Sequence, residues 1–339
     1  MLPRSHPLTG AADRVDRANE HLQALYAEAR DFIKPETYRV VPMPYFRKAK
    51  DRTLTLREMR SRGIPLDGFG VRRLTRNRFA VRYLMYEDAS CRFFWNTPPD
   101  ERRWGIVVGE AIQNLRIALD YVACELTLET RRRLGKRAPK VRDDNIAFPI
   151  LLTPHSTNGK TGKVTKGGEW KRVTRGQGAI AGVPRRVQAM LKKLQPFYRR
   201  KPPAAAEGHP LWLLRTLSNR DKHRAISVVS FAGEALQFKI RFLDPDAASK
   251  PPRIRDLWRR EFGPLVDDTE VARLRFFHEV PFAQLAALGE VPMQVYHRFR
   301  VEVAFGEGTP VAGQLVLDVL NPVSHAVDSV IEAFKSVFR

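Results

Sequence analysis

The chain has 339 residues, 43% hydrophobic and 28% charged, with 59 Lys and Arg against 37 Asp and Glu. That hydrophobic share supports a core and excludes a disordered polyelectrolyte. No run of about 18 apolar residues predicts a membrane span, Met1 to Pro7 lack a signal-peptide core, and Cys91 and Cys124 are too few for a disulfide scaffold. The expectation is a cytoplasmic protein.

The net charge of +22 is unevenly spread. Residues 1–150 hold 29 basic against 19 acidic residues, residues 151–225 hold 17 against 3, and residues 226–339 hold 13 against 15. A basic excess concentrated in the middle of the chain attracts polyanions, and nucleic acid is the commonest one in a cell. A genome-wide preference for Arg does not explain a slightly acidic C-terminal third.

In chain order, Val15, Leu22, Leu25, Ala29 and Phe32 recur at helical spacing and predict a helix over 11–34, ended by Pro35. Residues 38–47 and 78–95, rich in Val, Tyr and Phe, predict two strands around a basic linker at 48–77. Asp100 caps a long helix to about Arg133 with the stripe Val108, Ala111, Ile112, Leu115, Leu119, Val122 and Leu126. After an apolar run at 146–152, residues 153–182 read as a basic loop rich in Gly, Thr and Lys. Gly159-Lys160-Thr161 suggests a phosphate loop, but Pro154 occupies the place of its first glycine.

Pro184 opens an amphipathic helix stopped by Pro196, and a further helix starts at His209-Pro210. Beyond Arg224 the hydrophobic period changes to two. Residues 226–231, 238–242, 271–277, 299–305 and 315–319 predict an antiparallel meander with turns at Ala232-Gly233 and Gly306-Glu307-Gly308. Asn321 and Pro322 then start a closing helix. The fold class expected is α+β: a helical bundle followed by an antiparallel β-meander with a closing C-terminal helix. Residues 1–225 form the mainly helical part, with an inserted strand pair and the basic loop. Residues 226–339 form the sheet and last helix, packed on the first part.

The helix from His209 to Arg224 is the most informative stretch. Leu211, Leu214, Leu217, Ser218 and Ala225 share one stripe, and Asp221 falls on it, where a lone carboxylate requires a partner. Trp212, Thr216, Asn219 and His223 line a second stripe, as in a lined site. Cations at Lys222, His223 and Arg224 also suit a solvated helix end, where they complement the dipole. On the long helix, Glu110, Asn114, Tyr121 and Glu125 share a polar face, while Gln113, Arg116 and Asp120 border the core stripe. Arg116 and Asp120, four apart, suit an ion pair along the helix.

Gly109-Glu110-Ala111-x-x-Asn114-Leu115-Arg116-x-Ala118-Leu119-Asp120, with Ala147-Phe148-Pro149-Ile150 and Asn219-Arg220-Asp221-Lys222-His223-Arg224, resembles a broad family of bacterial proteins. That resemblance implies no particular activity. The first motif also resembles the Arg-x4-His signature of HEPN-type ribonucleases, helical-bundle proteins that act on RNA phosphodiesters. Arg116 matches the Arg, Tyr121 stands at the His position, and Ile117 replaces a usual polar residue, which makes the HEPN-like site degenerate. His223 is the candidate to supply the imidazole. Metal-free cleavage requires a base, an acid and a cation for the phosphorane charge. The candidate catalytic set is His223, Arg116, Lys222, Asp120 and Asn219. Lys160, Lys163, Lys166, Lys171, Arg172, Trp212, Arg220 and Arg224 are the candidate substrate contacts.

No His spacing or acidic cluster suggests a metal and no dinucleotide fingerprint suggests a cofactor, so none is expected. The expected partner is nucleic acid, RNA rather than DNA, with no membrane partner and a homodimer allowed. The competing reading is a non-enzymatic interaction protein whose polar helix residues form a buried network, with Asp221 bridging to Arg116. A third is an enzyme for a small anionic molecule held between bundle and sheet.

Overall fold

The computed structural model describes residues 6–32, 34, 36–61, 64, 66, 71–139, 141–157, 163–199, 206–222, 226–242, 252–260, 263–283 and 293–338. Its secondary structure is α+β, and every strand register it defines is antiparallel. The chain groups into two compact units, neither of them continuous: residues 1–28, 100–229 and 303–339 make one, residues 29–99 and 230–302 the other. The expected boundary at 225/226 therefore lies inside a segment of the first unit.

The first unit is helical. Helix α1 (Thr9–Phe32) enters from it and buries Ala11, Val15, Ala18, Leu22 and Leu25; Val15, Leu22 and Leu25 belong to the stripe its spacing predicts, as does Ala29, also buried, whereas Phe32 is half-buried. The long helix α3 (Glu101–Leu134) is capped by Asp100, whose carboxylate accepts from the Arg103 amide at 2.9 Å, and its predicted core stripe is buried throughout. The two helices run antiparallel: Arg14 donates to Asn114 Oδ1 at 3.1 Å, and Trp104 Nε1 to Glu28 Oε1 at 3.1 Å.

Helix α7 (Pro210–Asp221), with Pro210 at its first position, buries Leu211, Leu214, Leu217 and Ser218. Its cap is His209, whose Nδ1 accepts from the Leu211 amide. Ala225, predicted for the same stripe, lies outside the described residues. The closing helix α8 (Val316–Lys335) packs on α3 and α7, and its Ser324 hydroxyl donates to Asn19 of α1 at 2.9 Å.

Two expectations change in this unit. The closing helix starts at Val316, not Asn321, and Pro322 lies inside it. Val316, Val319, Leu320 and Val323 are all buried at helical spacing, so the run predicted as a strand at 315–319 forms the helix's first turn and leaves only a bridge from Leu315 to Ala304. The basic loop at 153–182 also contains structure: strands β4 (Ser156–Thr157) and β5 (Val164–Thr165), and helix α4 (Gly168–Thr174), which buries Val173 and Thr174. Helix α5 (Arg185–Lys193), opened by Pro184, and the short α6 (Pro196–Arg199) follow it.

The second unit is built on sheets. Strand β3 (Arg78–Trp95) pairs along its whole length with β1 (Tyr38–Thr55). Its other edge is shared between β2 (Val71–Thr75) and β9 (Thr269–Ala283), and β9 in turn pairs with β7 (Ile254–Arg259). The strand pair that reads in sequence as an insertion into the helical part thus shares a sheet with strands nearly 200 residues away. The linker expected at 48–77 is largely ordered as the end of β1, helix α2 (Leu56–Ser61) and β2. Pro42 and Pro44 fit because β1 is an edge strand, where a missing N–H costs no ladder bond.

Ala89, Cys91 and Phe93 alternate inward to join Tyr38, Val271, Leu274 and Phe276 in the core. There burial, with Glu270 nearby, pushes the Cys91 thiol up to about 12. A second sheet has the order β10 (Met293–Phe305), β6 (Val228–Phe242) and β8 (Gly263–Pro264). Ala232 and Gly233, predicted as a turn, continue β6, where Ala232 pairs with Gly263. In both sheets, sequence neighbours are not always strand neighbours.

Candidate functional site

Arg116 and Asp120 lie one turn apart on α3, as their spacing predicts, and form an ion pair at 2.9 Å. Their further bonds decide their use. Arg116 Nη2 also donates to the carbonyl of Phe148 at 3.0 Å, and the Phe148 amide donates to Asp120 Oδ1 at 2.9 Å. The pair therefore grips both polar groups of one peptide residue and pins the 147–150 segment to the helix, with the Phe148 ring fully buried behind it. Arg215 of α7 extends the clamp by donating to the Ile150 carbonyl at 2.7 Å, its guanidinium 4.9 Å from the centre of the Trp212 ring. Burial, with Arg116 and Arg172 nearby, holds the Arg215 guanidinium below its ordinary range. The bridge expected between Asp221 and Arg116 is replaced by one to Gln113, whose Nε2 donates to Asp221 Oδ2 at 2.9 Å and to the Ser218 carbonyl at 3.2 Å.

The α3 and α7 helices are thus direct neighbours, joined by an amide–carboxylate contact. Asn219 and Lys222 lie at the C-terminal end of α7 and are exposed. Arg220 is half-buried; its Nε has no hydrogen-bond partner among the described residues, and its guanidinium lies against Gly308 in the 306–309 turn. Trp212 is half-buried beneath Arg215 rather than open to a ligand. His223, Arg224 and Lys160 lie outside the described residues. Tyr121, at the position of the HEPN histidine, is 39% exposed and packs beside Gly10 of α1.

Lys163, Lys166, Lys171 and Arg172 are exposed, and Arg172 pairs with Glu169 at 2.9 Å. Arg175, Arg185, Arg186, Lys192 and Lys193 are exposed as well, so the cations of this segment are solvated, and Glu169 is the sole acidic residue in the sequence between 163 and 193.

A cleft of about 480 Å³ opens along α3 between α1 and the end of α7. Gly105, Ile106, Gly109, Glu110, Gln113, Asn114 and Ile117 of α3 line it, with Arg14, Arg17 and His21 of α1 and Asp221 of α7. Both glycines are there because α3 is crossed at close range. A Cβ on Gly105 would lie 2.3 Å from the Ile226 carbonyl oxygen, and one on Gly109 would lie 2.5 Å from Asp221 Oδ1. His21 Nδ1 lies 3.6 Å from Glu110 Oε2. Gln113 and Asp221 stand out in the sequence as polar groups on or beside apolar stripes, and Glu110 and Asn114 as members of a polar face. Arg14, Arg17 and His21 do not, although their spacing of three and four places them on one face of α1 beside its core stripe.

No protein-family model, curated protein or solved structure matches this chain. Among the described residues no helix is long and apolar enough to cross a membrane, and no three His, Cys, Asp or Glu side chains gather as a metal site would require.

Proposed function

We propose that the protein binds nucleic acid, single-stranded RNA in preference to DNA, on the basic surface between residues 163 and 193. The observation that carries this reading is the exposure of Lys166, Lys171, Arg175, Arg185, Arg186, Lys192 and Lys193 with almost no acidic residue among them. Cations without nearby carboxylates are free to exchange counterions for phosphates. Tyr198, 45% exposed just beyond α5, supports a single strand, because an exposed ring offers a base a stacking surface.

Binding of a fluorescent single-stranded RNA, followed by anisotropy across a salt series, tests the proposal. Affinity is expected to fall steeply with salt. The triple variant Lys166→Glu, Lys171→Glu, Arg175→Glu is expected to weaken binding and to shrink the log–log slope by about 0.7 per lost phosphate contact. An unchanged slope overturns the assignment.

Metal-independent RNA cleavage at His223, Lys222 and Asn219, a degenerate HEPN-like site, remains part of the proposal. Arg116 and Asp120 favour the second reading for themselves, a polar network that fixes helix and chain register, because their bonds go to Phe148. RNA incubated with the protein and a chelator separates the two. Cleavage lost in His223→Ala and retained in Arg116→Lys supports the site without Arg116. Intact RNA in every sample leaves a binding protein.

A further inference from the structure

We propose that the cleft between α1, α3 and the end of α7 is a guanine-nucleotide pocket. This deepens the RNA-binding reading by naming a base, and it rests on that reading only for its biological setting. Its volume of about 480 Å³ falls among small-molecule sites, which span about 300–1,000 Å³. The floor is rich in acceptors. Asp221 accepts from Gln113 through Oδ2 and Gln113 donates through Nε2, so among the described residues the hydrogen bonds of the pair engage neither Asp221 Oδ1 nor Gln113 Oε1. Gly109 leaves the room that Oδ1 occupies, since a Cβ at that position would lie 2.5 Å from it. A ligand head that presents adjacent N–H donors completes such a floor, as the N1–H and N2–H₂ edge of guanine does. Uracil presents a single N3–H between two carbonyls, so it offers this floor one donor where guanine offers two and sets a carbonyl against the second acceptor.

The opposite end supplies donors. Arg14 reaches Asn114 with one guanidinium nitrogen, and Arg17, ion-paired with Glu20 at 3.0 Å, lines the cleft beside it. Gly109 and Asn114 are five residues apart, about 7.5 Å along the helix axis, so the acceptor floor and the Arg14 end lie at different levels of the cleft. Ile106, 51% exposed, lies one turn from Gly109 and offers an apolar wall for the flat face of the base.

Calorimetric titration of the full chain with GMP, AMP, CMP and UMP tests the pocket. GMP is expected to bind most tightly and UMP most weakly. Asp221→Asn retains the shape and an acceptor for Gln113 but loses the charge. It is expected to weaken GMP binding by about 10- to 100-fold and to narrow the preference over UMP. Arg14→Gln is expected to weaken all four nucleotides alike. No saturable binding, equal affinity for the four bases, or GMP binding unchanged in Asp221→Asn would overturn the pocket.

The charge-reversed surface variant separates the two proposals. Loss of RNA binding with GMP binding retained supports both. RNA binding with no response to any mononucleotide sinks the pocket alone. GMP binding in a protein that ignores RNA keeps the pocket and removes the RNA reading.

Discussion

Arg116 and Asp120 satisfy the Phe148 peptide as a unit, so removing one takes a bond from each of the others. The Asp120→Ala variant would leave a guanidinium that is only 14% exposed at its side chain without its counter-charge, though still bonded to the Phe148 carbonyl, and a backbone amide without its acceptor. It is expected to cost about 2–3 kcal/mol in urea unfolding. Arg116→Lys keeps the charge but loses the planar fork, and a cost of about 1–2 kcal/mol is expected in the same measurement. A variant as stable as the parent would return Arg116 to the list of catalytic candidates.

Asp328 on α8 works in the opposite sense. Burial, with Asp16 and Glu332 nearby, holds its carboxyl above the ordinary range. The folded state then binds this proton more tightly than the unfolded chain. The cost is fully present above the folded pKa and is relieved as pH falls through it towards the unfolded value. Asp328→Asn is expected to raise stability at pH 7 by a few tenths of a kcal/mol and to leave it unchanged at pH 3, as thermal unfolding at the two pH values would show. At this scale the pair of Arg116 and Asp120 was legible from its spacing of four. Their shared target Phe148 was not, because nothing in the helix's own period specifies which distant peptide returns to it.

Helices were the best-read elements because burial imposes a period on them. The α3 and α7 stripes appear as spacing implies, and the early start of α8 was also written in Val316, Val319, Leu320 and Val323. Lys48-Ala49-Lys50-Asp51-Arg52 has no alternation of apolar and polar residues, so nothing local extends the strand expected at 38–47 to the full β1. Those residues are extended because β3 continues opposite them, and pairing of that kind leaves no local mark. The cleft was half legible for a related reason: the period of α3 exposes Glu110 and Gln113, but does not say that α1 lies across them.

Close crossing makes a prediction for α3. In an isolated helix Gly105→Ala would stabilise by about 1 kcal/mol. Here the new Cβ meets the Ile226 backbone at 2.3 Å, and a net loss of about 1–3 kcal/mol is expected by urea unfolding. A gain in stability would mean that the 226–228 strand entry shifts without cost.

At the scale of the whole molecule, the chain passes between its two units at 28/29, 99/100, 229/230 and 302/303, and three of these passages lie inside α1, β6 and β10. A fragment ending at residue 225 is therefore expected to lack cooperative unfolding, since it leaves β3 without β9 and the bundle without α8. A sharp thermal transition by circular dichroism would refute this. Linear order suggested a helical half and a sheet half because composition changes near residue 225. The partnership of β3 with β9 spans 176 to 200 residues, from Phe93 with Thr269 to Tyr83 with Ala283, and no window of sequence reports it. That span has a consequence on the ribosome. At about 5–20 residues per second, roughly 10–40 s separate the synthesis of β3 from that of β9. Throughout that interval the nascent chain carries an apolar strand with most of one edge bare, an opening for self-association that a chaperone is suited to cover until the missing neighbour is made.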